Sequence, residues 1–313
     1  MAAPAWQNRR RDTVCVDAFN SFAYPIDSCC HRHIERFCLP CADCSTDRAV
    51  LMPPAGDGLD WQEIGQILAH LDNYHDTRFP IVEIMLSTVP CASGCCNMAL
   101  FLRPNTTDIT VIRQLTQQQD MHFLRGLSWE PTNILDAGAN FGVSSMLFAL
   151  LFPDARIVSL EPAPSNFKLL QLNSARFGNI HPLEIGLWND TSGLQLIEED
   201  CNDRAAFLCG YWGYKVQDPA VEASNVLSTT MADLSSLTTN GTGFQLVKID
   251  IEGSEARVLR EPAPSEWLQN ARLVAADIHS FGDNLEPQIA YFFGQAFNVS
   301  RSGRYHLYSR DIP

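Results

Sequence analysis

The sequence predicts an α/β fold: a Rossmann-like domain with a mostly parallel seven-stranded sheet, behind a small cysteine-rich N-terminal segment. Three observations predict it. From about residue 109, apolar runs of strand length alternate with segments of helical period, the pattern of a parallel sheet covered on both faces. Those strands end in glycine and acidic residues, as at Asp136, Glu161 and Asp250. Nine of the eleven cysteines (Cys15, Cys29, Cys30, Cys38, Cys41, Cys44, Cys91, Cys95 and Cys96) precede residue 97. The chain therefore divides into a cysteine-rich region, 1–96, and an α/β domain, 97–313.

Residues 1 to about 58 mix cysteines, prolines and single aromatics without a period and end in the turn-rich MPPAGDG, which reads as a loop-rich module. A helix is predicted next, because Asp60 and Glu63 make a capping box ahead of Ile64, Ile67, Leu68 and Leu71 at helical spacing. FPIVEIML (79–86) reads as a strand, and CASGCC interrupts the chain before the short apolar run MALFL. ITVIRQLTQQQ is a predicted helix. NILDAGAN (133–140) is a strand ending in small and polar residues, followed by the buried helix VSSMLFALLF. ARIVSLEP (155–162) and SNFKLLQLNSARF repeat the strand and helix, and HPLEIGLW, FQLVKIDIE (244–252) and ARLVAADIH (271–279) supply three more strands. In NVSRSGRYHLYSRD a Ser-Gly turn between two potential strands fits an antiparallel hairpin at the sheet edge. Residues 199–225 show neither period and read as an insertion near the site.

With 313 residues, 46% hydrophobic and 19% charged, the chain can bury a sizeable core. A net charge of -14 argues against nucleic acid as a partner, since phosphate recognition relies on clustered Lys and Arg. No apolar run reaches the roughly 20 residues of a membrane span, and MAAPAWQNRRRD lacks the apolar stretch of a signal peptide. The expected compartment is cytoplasmic if the chain is complete, and a secretory lumen if an N-terminal anchor or signal has been removed.

In an open parallel sheet, ligands bind at the carboxyl ends of the strands, so chemistry is sought just after each one. The first end reads Asp136-Ala-Gly138-Ala-Asn140-Phe-Gly142. Its G-x-x-x-G spacing differs from the G-x-G-x-x-G of a pyrophosphate loop, and with Asp136 ahead of it suits a ligand bearing an ammonium and a ribose. An ordinary tight strand-to-helix turn is the bland alternative. The second strand ends in Glu161-Pro162, where a carboxylate can accept from both ribose hydroxyls. The densest group is Lys248-Ile-Asp250-Ile-Glu252-Gly253-Ser254-Glu255. Strand alternation puts Lys248, Asp250 and Glu252 on one face, which is costly unless they are paired or functional; a structural Lys-carboxylate network is the competing account. Asp277-Ile-His279 ends the next strand, and His279 titrates near neutrality.

ILDAGANFGVSSMLFALLFPDARIVSLEPAPSNFKLLQLN followed by KIDIEGSEARVL resembles the FkbM-type methyltransferase family, and the lead-in FLRPNTTDITVIRQL resembles the segment that often precedes that domain. The resemblance covers about residues 97–313 and implies a class I methyltransferase fold, S-adenosylmethionine as cofactor, and O-methylation of sugars, glycans or polyketide-derived molecules. By position it assigns Asp136, Gly138, Asn140, Gly142 and Glu161 to the cofactor, and Asp250, Glu252 and His279 to catalysis. Relatives often carry Glu-x-His on the last of these strands, where this chain has Asp277-x-His279.

Methyl transfer from a sulfonium needs alignment and exclusion of water, and a sugar hydroxyl also benefits from a general base. His279, assisted by Asp250, is the expected base; a divalent ion on Asp250 and Asp277 lowering the hydroxyl pKa is the second version. Cys38-x-x-Cys41-x-x-Cys44, with Cys29, Cys30, His31 and His33 upstream, fits a structural zinc, disulfides or free thiols alike. The rival functions are a nicotinamide-dependent oxidoreductase, which the missing third loop glycine disfavours, and a catalytically idle methyltransferase-like binding module. The partners expected are a small-molecule or glycan substrate, with oligomeric state left open.

Overall fold

The computed structural model describes residues 14–17, 22–25, 81–91, 94–103, 106–116, 120–197, 215–217, 226–259, 266–279, 289, 293 and 297–310. The cysteine and histidine positions from Cys29 to Cys44, the helix expected after Asp60, and most of the 199–225 insertion lie outside the described residues. The chain separates into two compact units, Met1–Arg113 and Gln114–Pro313. Among the described residues no helix is long and apolar enough to cross a membrane.

In the first unit Val14–Asp17 pairs antiparallel with Phe22–Pro25, and Val82–Cys91 with Gly94–Leu102. The CASGCC cysteines therefore stand in the two arms of a hairpin, where the sequence suggested an interruption. The expected helix is present over Asp108–Thr116. Its start is fixed by Asp108, which is fully buried and accepts from the Arg103 backbone at 2.8 Å and from its guanidinium at 2.9 and 2.7 Å.

The second unit is built on a seven-stranded sheet. Its strands are β1 (Asn133–Ala137), β2 (Arg156–Leu160), β3 (Ile180–Leu183), β4 (Leu246–Ile249), β5 (Leu273–Ala276), β6 (Asn298–Ser302) and β7 (Tyr305–Ser309). They lie in the order β6-β7-β5-β4-β1-β2-β3. The sheet is mixed, which corrects the mostly parallel expectation. The pairings from β3 through β5 are parallel, but β7 runs antiparallel to both β5 and β6. The cause is the short turn after Ser302: two residues cannot supply the crossover that a parallel return requires.

Every residue of β1, β4 and β5 is buried, as expected for strands covered on both faces. Helices α1 (Val143–Leu151), α2 (Pro164–Ser174), α3 (Met231–Thr238), α4 (Glu255–Leu259) and α5 (Glu266–Asn270) accompany them. A single apolar cluster joins Leu135, Val158, Val247, Val274, Trp267, Phe293 and Tyr308 across the sheet. The predicted strand HPLEIGLW is divided: β3 ends at Leu183, and Gly186–Leu187 pairs instead with Ser228–Thr229. Pro182, which has no N–H to give, is tolerated because β3 is an edge strand. Strand order reverses between β1 and β4, so their carboxyl ends open the crevice in which such sheets bind ligands.

Candidate functional site

The loop after β1 is shaped by backbone constraints. Gly138 has φ 77, and a Cβ there would collide with the Asp250 carbonyl oxygen, so only glycine lets the β1 and β4 ends approach this closely. Gly138 and Ala139 donate to the Leu160 carbonyl at 3.1 and 2.8 Å, and Gly142 caps α1 at φ 97. Asp136 is fully buried and its oxygens are engaged internally: Oδ1 accepts from Lys248 Nζ at 3.0 Å, and Oδ2 from the Ser144 and Ser145 hydroxyls at 2.6 Å each. It thus anchors the first turn of α1 and a buried lysine. Lys248 also donates to the Gly138 carbonyl at 3.0 Å and stands 3.9 Å from Asp250. The structural Lys-carboxylate network considered from the sequence is therefore present.

Glu161 stands at the end of β2 beside this loop. Its Oε2 accepts from the Asn140 amide, and its Oε1 from the Ala163 amide, both at 2.9 Å. Asn140 reaches that position through a left-handed φ of 51, a conformation asparagine tolerates. Burial pushes the Glu161 carboxyl up to about 7, against the pull of the Ala163 and Asn140 amides. A buried carboxylate held by two amides, with lone pairs to spare, suits a vicinal diol.

The β4 end departs from the expected alternation. β4 stops at Ile249, and Glu252 takes a left-handed φ of 54, so a turn rather than strand pleat sets its direction. Glu255 makes that turn: it is buried, and its carboxylate accepts from the Ile251 and Gly253 amides at 3.0 Å each. The same carboxylate contacts His279 Nδ1 at 3.2 Å. The acid oriented against His279 is therefore Glu255, correcting the expected Asp250. His279 Nε2 stands 3.7 Å from both Glu252 and Asp277.

Asp250 is held by the C-terminal hairpin. Arg304, in the β6–β7 turn, donates to Asp250 Oδ2 at 2.7 Å, approaches Asp277 Oδ2 at 3.2 Å, and pairs with Asp120 at 3.2 Å. The Tyr305 hydroxyl also donates to Asp250 Oδ2, at 3.2 Å. Burial alone would raise the Asp250 pKa, but Arg304, Lys248 and His279 hold it below the usual carboxylate range. Burial and the Asp250 charge push Glu252 up to about 7 and Asp277 up to about 6. Burial opposes the charge on His279, yet its bond to Glu255 and the charges of Glu255, Glu252 and Asp277 outweigh it, leaving the imidazolium with a pKa of about 9.

The second unit thus gathers Gly138, Asn140 and Glu161 at one end of the crevice and Asp250, Glu252 and His279 at the other, with Asp136 behind the wall. Asp250, Glu252 and His279 each offer an atom within 4.8 Å of the others, a carboxylate and imidazole set of the kind that borderline divalent ions take. Sequence reasoning missed Arg304 and Asp120 and gave Glu255 no role. Glu255 had a signal, an acid just after the Gly253 turn; Arg304 had none, because its partners are remote in sequence.

Comparison with known proteins gives a family match and several relatives. The family described as Methyltransferase FkbM domain matches residues 136–294. Over 205 residues the chain is 25% identical to the 31-O-demethyl-FK506 methyltransferase FkbM of Streptomyces tacrolimicus, covering 58% of this chain and 78% of that protein. Over 199 residues it is 26% identical to the methyltransferase sdnD of Sordaria araneosa, covering 55% and 76%. Solved structures with partial likeness include the precorrin-6y C5,15-methyltransferase of Geobacter metallireducens, at 12% identity over 61% of this chain and 86% of that one, with a TM-score of 0.34.

Proposed function

The chain belongs to the FkbM methyltransferase family, an S-adenosylmethionine-dependent methyltransferase family, and from that premise we propose that it methylates a hydroxyl of a sugar, glycan or other polyol-like metabolite. The observation that carries this reading is that the carboxyl ends of parallel strands β2 and β5, on the same side of one sheet, carry a buried carboxylate held by two amides (Glu161) and a histidine bonded to a buried glutamate (His279). The relative named for a 31-O-demethyl substrate supports an oxygen acceptor. The nicotinamide oxidoreductase loses its support, since the family match accounts for the same loop and acid.

S-adenosylmethionine supplies an electrophilic methyl group on a sulfonium, and transfer leaves S-adenosylhomocysteine. The chain's part is to hold the donor, align the acceptor and take its proton. Glu161 receives the ribose hydroxyls, and the Gly138–Gly142 backbone lets the ligand lie close. Asp136 acts through Lys248 and α1 as a positioning residue. Glu255 bonds Nδ1 of His279, and Nε2 takes the proton of the acceptor hydroxyl as its oxygen bonds to the methyl carbon. With a pKa of about 9, His279 is neutral in roughly one molecule in a hundred at pH 7, and the rate rises with pH through that value. Glu252, at about 7 and 3.7 Å from Nε2, is the second candidate base.

The test is transfer of labelled methyl to a panel of glycans, polyols, proteins and a structured RNA, with calorimetric titration by S-adenosylhomocysteine. Label on a glycan or polyol oxygen supports the proposal. Label confined to nitrogen, protein or RNA overturns the acceptor class, and absence of both binding and transfer points to the idle binding module.

A further inference from the structure

We propose that Arg304 is the resident cation of the acceptor side, taking between Asp250 and Asp277 the position that a divalent metal ion takes in a metal-assisted site. The inference rests on the reading of Asp250 and His279 as acceptor-side groups. The two carboxylates that sequence reasoning assigned to a metal are Asp250 and Asp277, and in the structure the Oδ2 atoms of both lie on one guanidinium, at 2.7 and 3.2 Å. A third carboxylate, Asp120, completes the set at 3.2 Å.

The guanidinium is held in place. Gly303, beside it in the turn, has φ 55, and a Cβ there would collide with the Asp120 carboxylate. The hairpin thus seats Arg304 beside a glycine that both its left-handed φ and the Asp120 carboxylate favour. Asp120 and Tyr305 are both 1% exposed, and the Tyr305 ring lies 5.3 Å from the guanidinium carbon. The second cation is His279, which lies between Glu255, Glu252 and Asp277. Arg304 and His279, with Lys248 3.9 Å from Asp250, therefore stand among Asp120, Asp250, Glu252, Glu255 and Asp277, and the Oδ2 atoms of Asp250 and Asp277 both face the guanidinium. A planar guanidinium presents fixed donors to several carboxylates at once and never loses its charge, so Asp250 stays ionised and fixed without any ion from solution. Arg304 is accordingly a positioning residue, acting on the acceptor through Asp250 and Asp277.

The experiment uses the full chain, Arg304→Gln and Arg304→Lys, with Mn2+ as the probe. Mn2+ binding is read by electron paramagnetic resonance, donor-side integrity by calorimetry with S-adenosylhomocysteine, and kcat and KM are measured with chelator and with added Mn2+. The wild type should leave Mn2+ free at about 1 mM and keep its rate in chelator. Arg304→Gln should bind Mn2+, keep its affinity for S-adenosylhomocysteine within about twofold, and lose at least about tenfold in kcat, the scale of a lost charged hydrogen bond; added Mn2+ should recover part of that loss. Arg304→Lys retains a charge, keeps the test valid if the glutamine variant does not fold, and should exclude Mn2+ while showing a smaller loss in kcat. Wild-type protein that binds Mn2+ and stops in chelator would overturn the proposal, as would a folded Arg304→Gln with unchanged kcat and no Mn2+ binding. If no acceptor is methylated, the functional reading fails, while Mn2+ spectroscopy still decides what Arg304 does.

Discussion

The two ends of the crevice are built from different materials. The donor end is made of backbone: amides of Asn140 and Ala163 on Glu161, and a glycine packed against the Asp250 carbonyl. The acceptor end is made of charged side chains, with Arg304 and His279 set among five carboxylates. The contrast teaches that the donor end should fail when an atom is added to it, and the acceptor end when a side chain is taken away.

The largest test of that contrast is His279→Ala. Turnover should fall about 100-fold to 10,000-fold, the usual range for a general base, with S-adenosylhomocysteine affinity nearly unchanged. The wild-type rate should climb as pH rises through about 9, and the variant should lose that limb. A limb centred near 7 that vanishes in Glu252→Gln instead would transfer the role to Glu252. Thermal unfolding of each variant separates chemistry from misfolding.

Gly138→Ala probes the donor end by addition. The new Cβ meets the Asp250 carbonyl at a φ of 77 that alanine disfavours, so stability should drop by at least about 2 kcal/mol in denaturant titration. An alanine variant as stable as the wild type would show that the loop does not depend on that close approach. Glu161→Gln comes next. It removes the charge while retaining an acceptor for one amide, so affinity for S-adenosylhomocysteine should fall by about 1.5–3 kcal/mol. Because the diol favours the ionised carboxylate, wild-type affinity should be full above about pH 7 and decline as pH falls through it; the glutamine variant should be flat. Equal pH curves would remove Glu161 from the ribose.

The contrast between the ends also explains what the sequence made legible. Strand ends with glycine and an acid announce themselves locally, so Gly138, Gly142 and Glu161 stand out from their place at the ends of β1 and β2. The acceptor end depends on closure: Asp120, Asp250, Asp277 and Arg304 meet only once the hairpin returns antiparallel along β5. No periodicity encodes that meeting. Alternation also misled at Glu252, because Glu255 captures two amides and turns the chain before a further strand residue is reached. In the other unit the cysteines carry no such geometry in their spacing, and the zinc, disulfide and thiol readings remain separate experiments.

The smallest expected effect concerns stability. His279 has a folded pKa of about 9, above its ordinary 6.5. Its ion pairs are therefore fully stabilising below about pH 6.5 and are lost as pH rises through 9. A loss of about 1–2 kcal/mol between pH 7 and 9, absent in His279→Gln, is expected by denaturant unfolding at each pH. Parallel curves for the two proteins would mean that the histidine's charge is not stabilising. The same rise in pH that frees the base thus loosens the fold around it.

Lys248 touches both worlds, with Asp136 and the Gly138 carbonyl on one flank and Asp250 on the other. It works as a hinge pin: the ammonium that holds the glycine loop through the Gly138 carbonyl is the one that faces Asp250. Such a tie is reciprocal by thermodynamic necessity, so whatever the first ligand does to the affinity for the second, the second does equally to the first. Any coupling that this contact carries between donor and acceptor then passes through one buried side chain and has the same size in either direction.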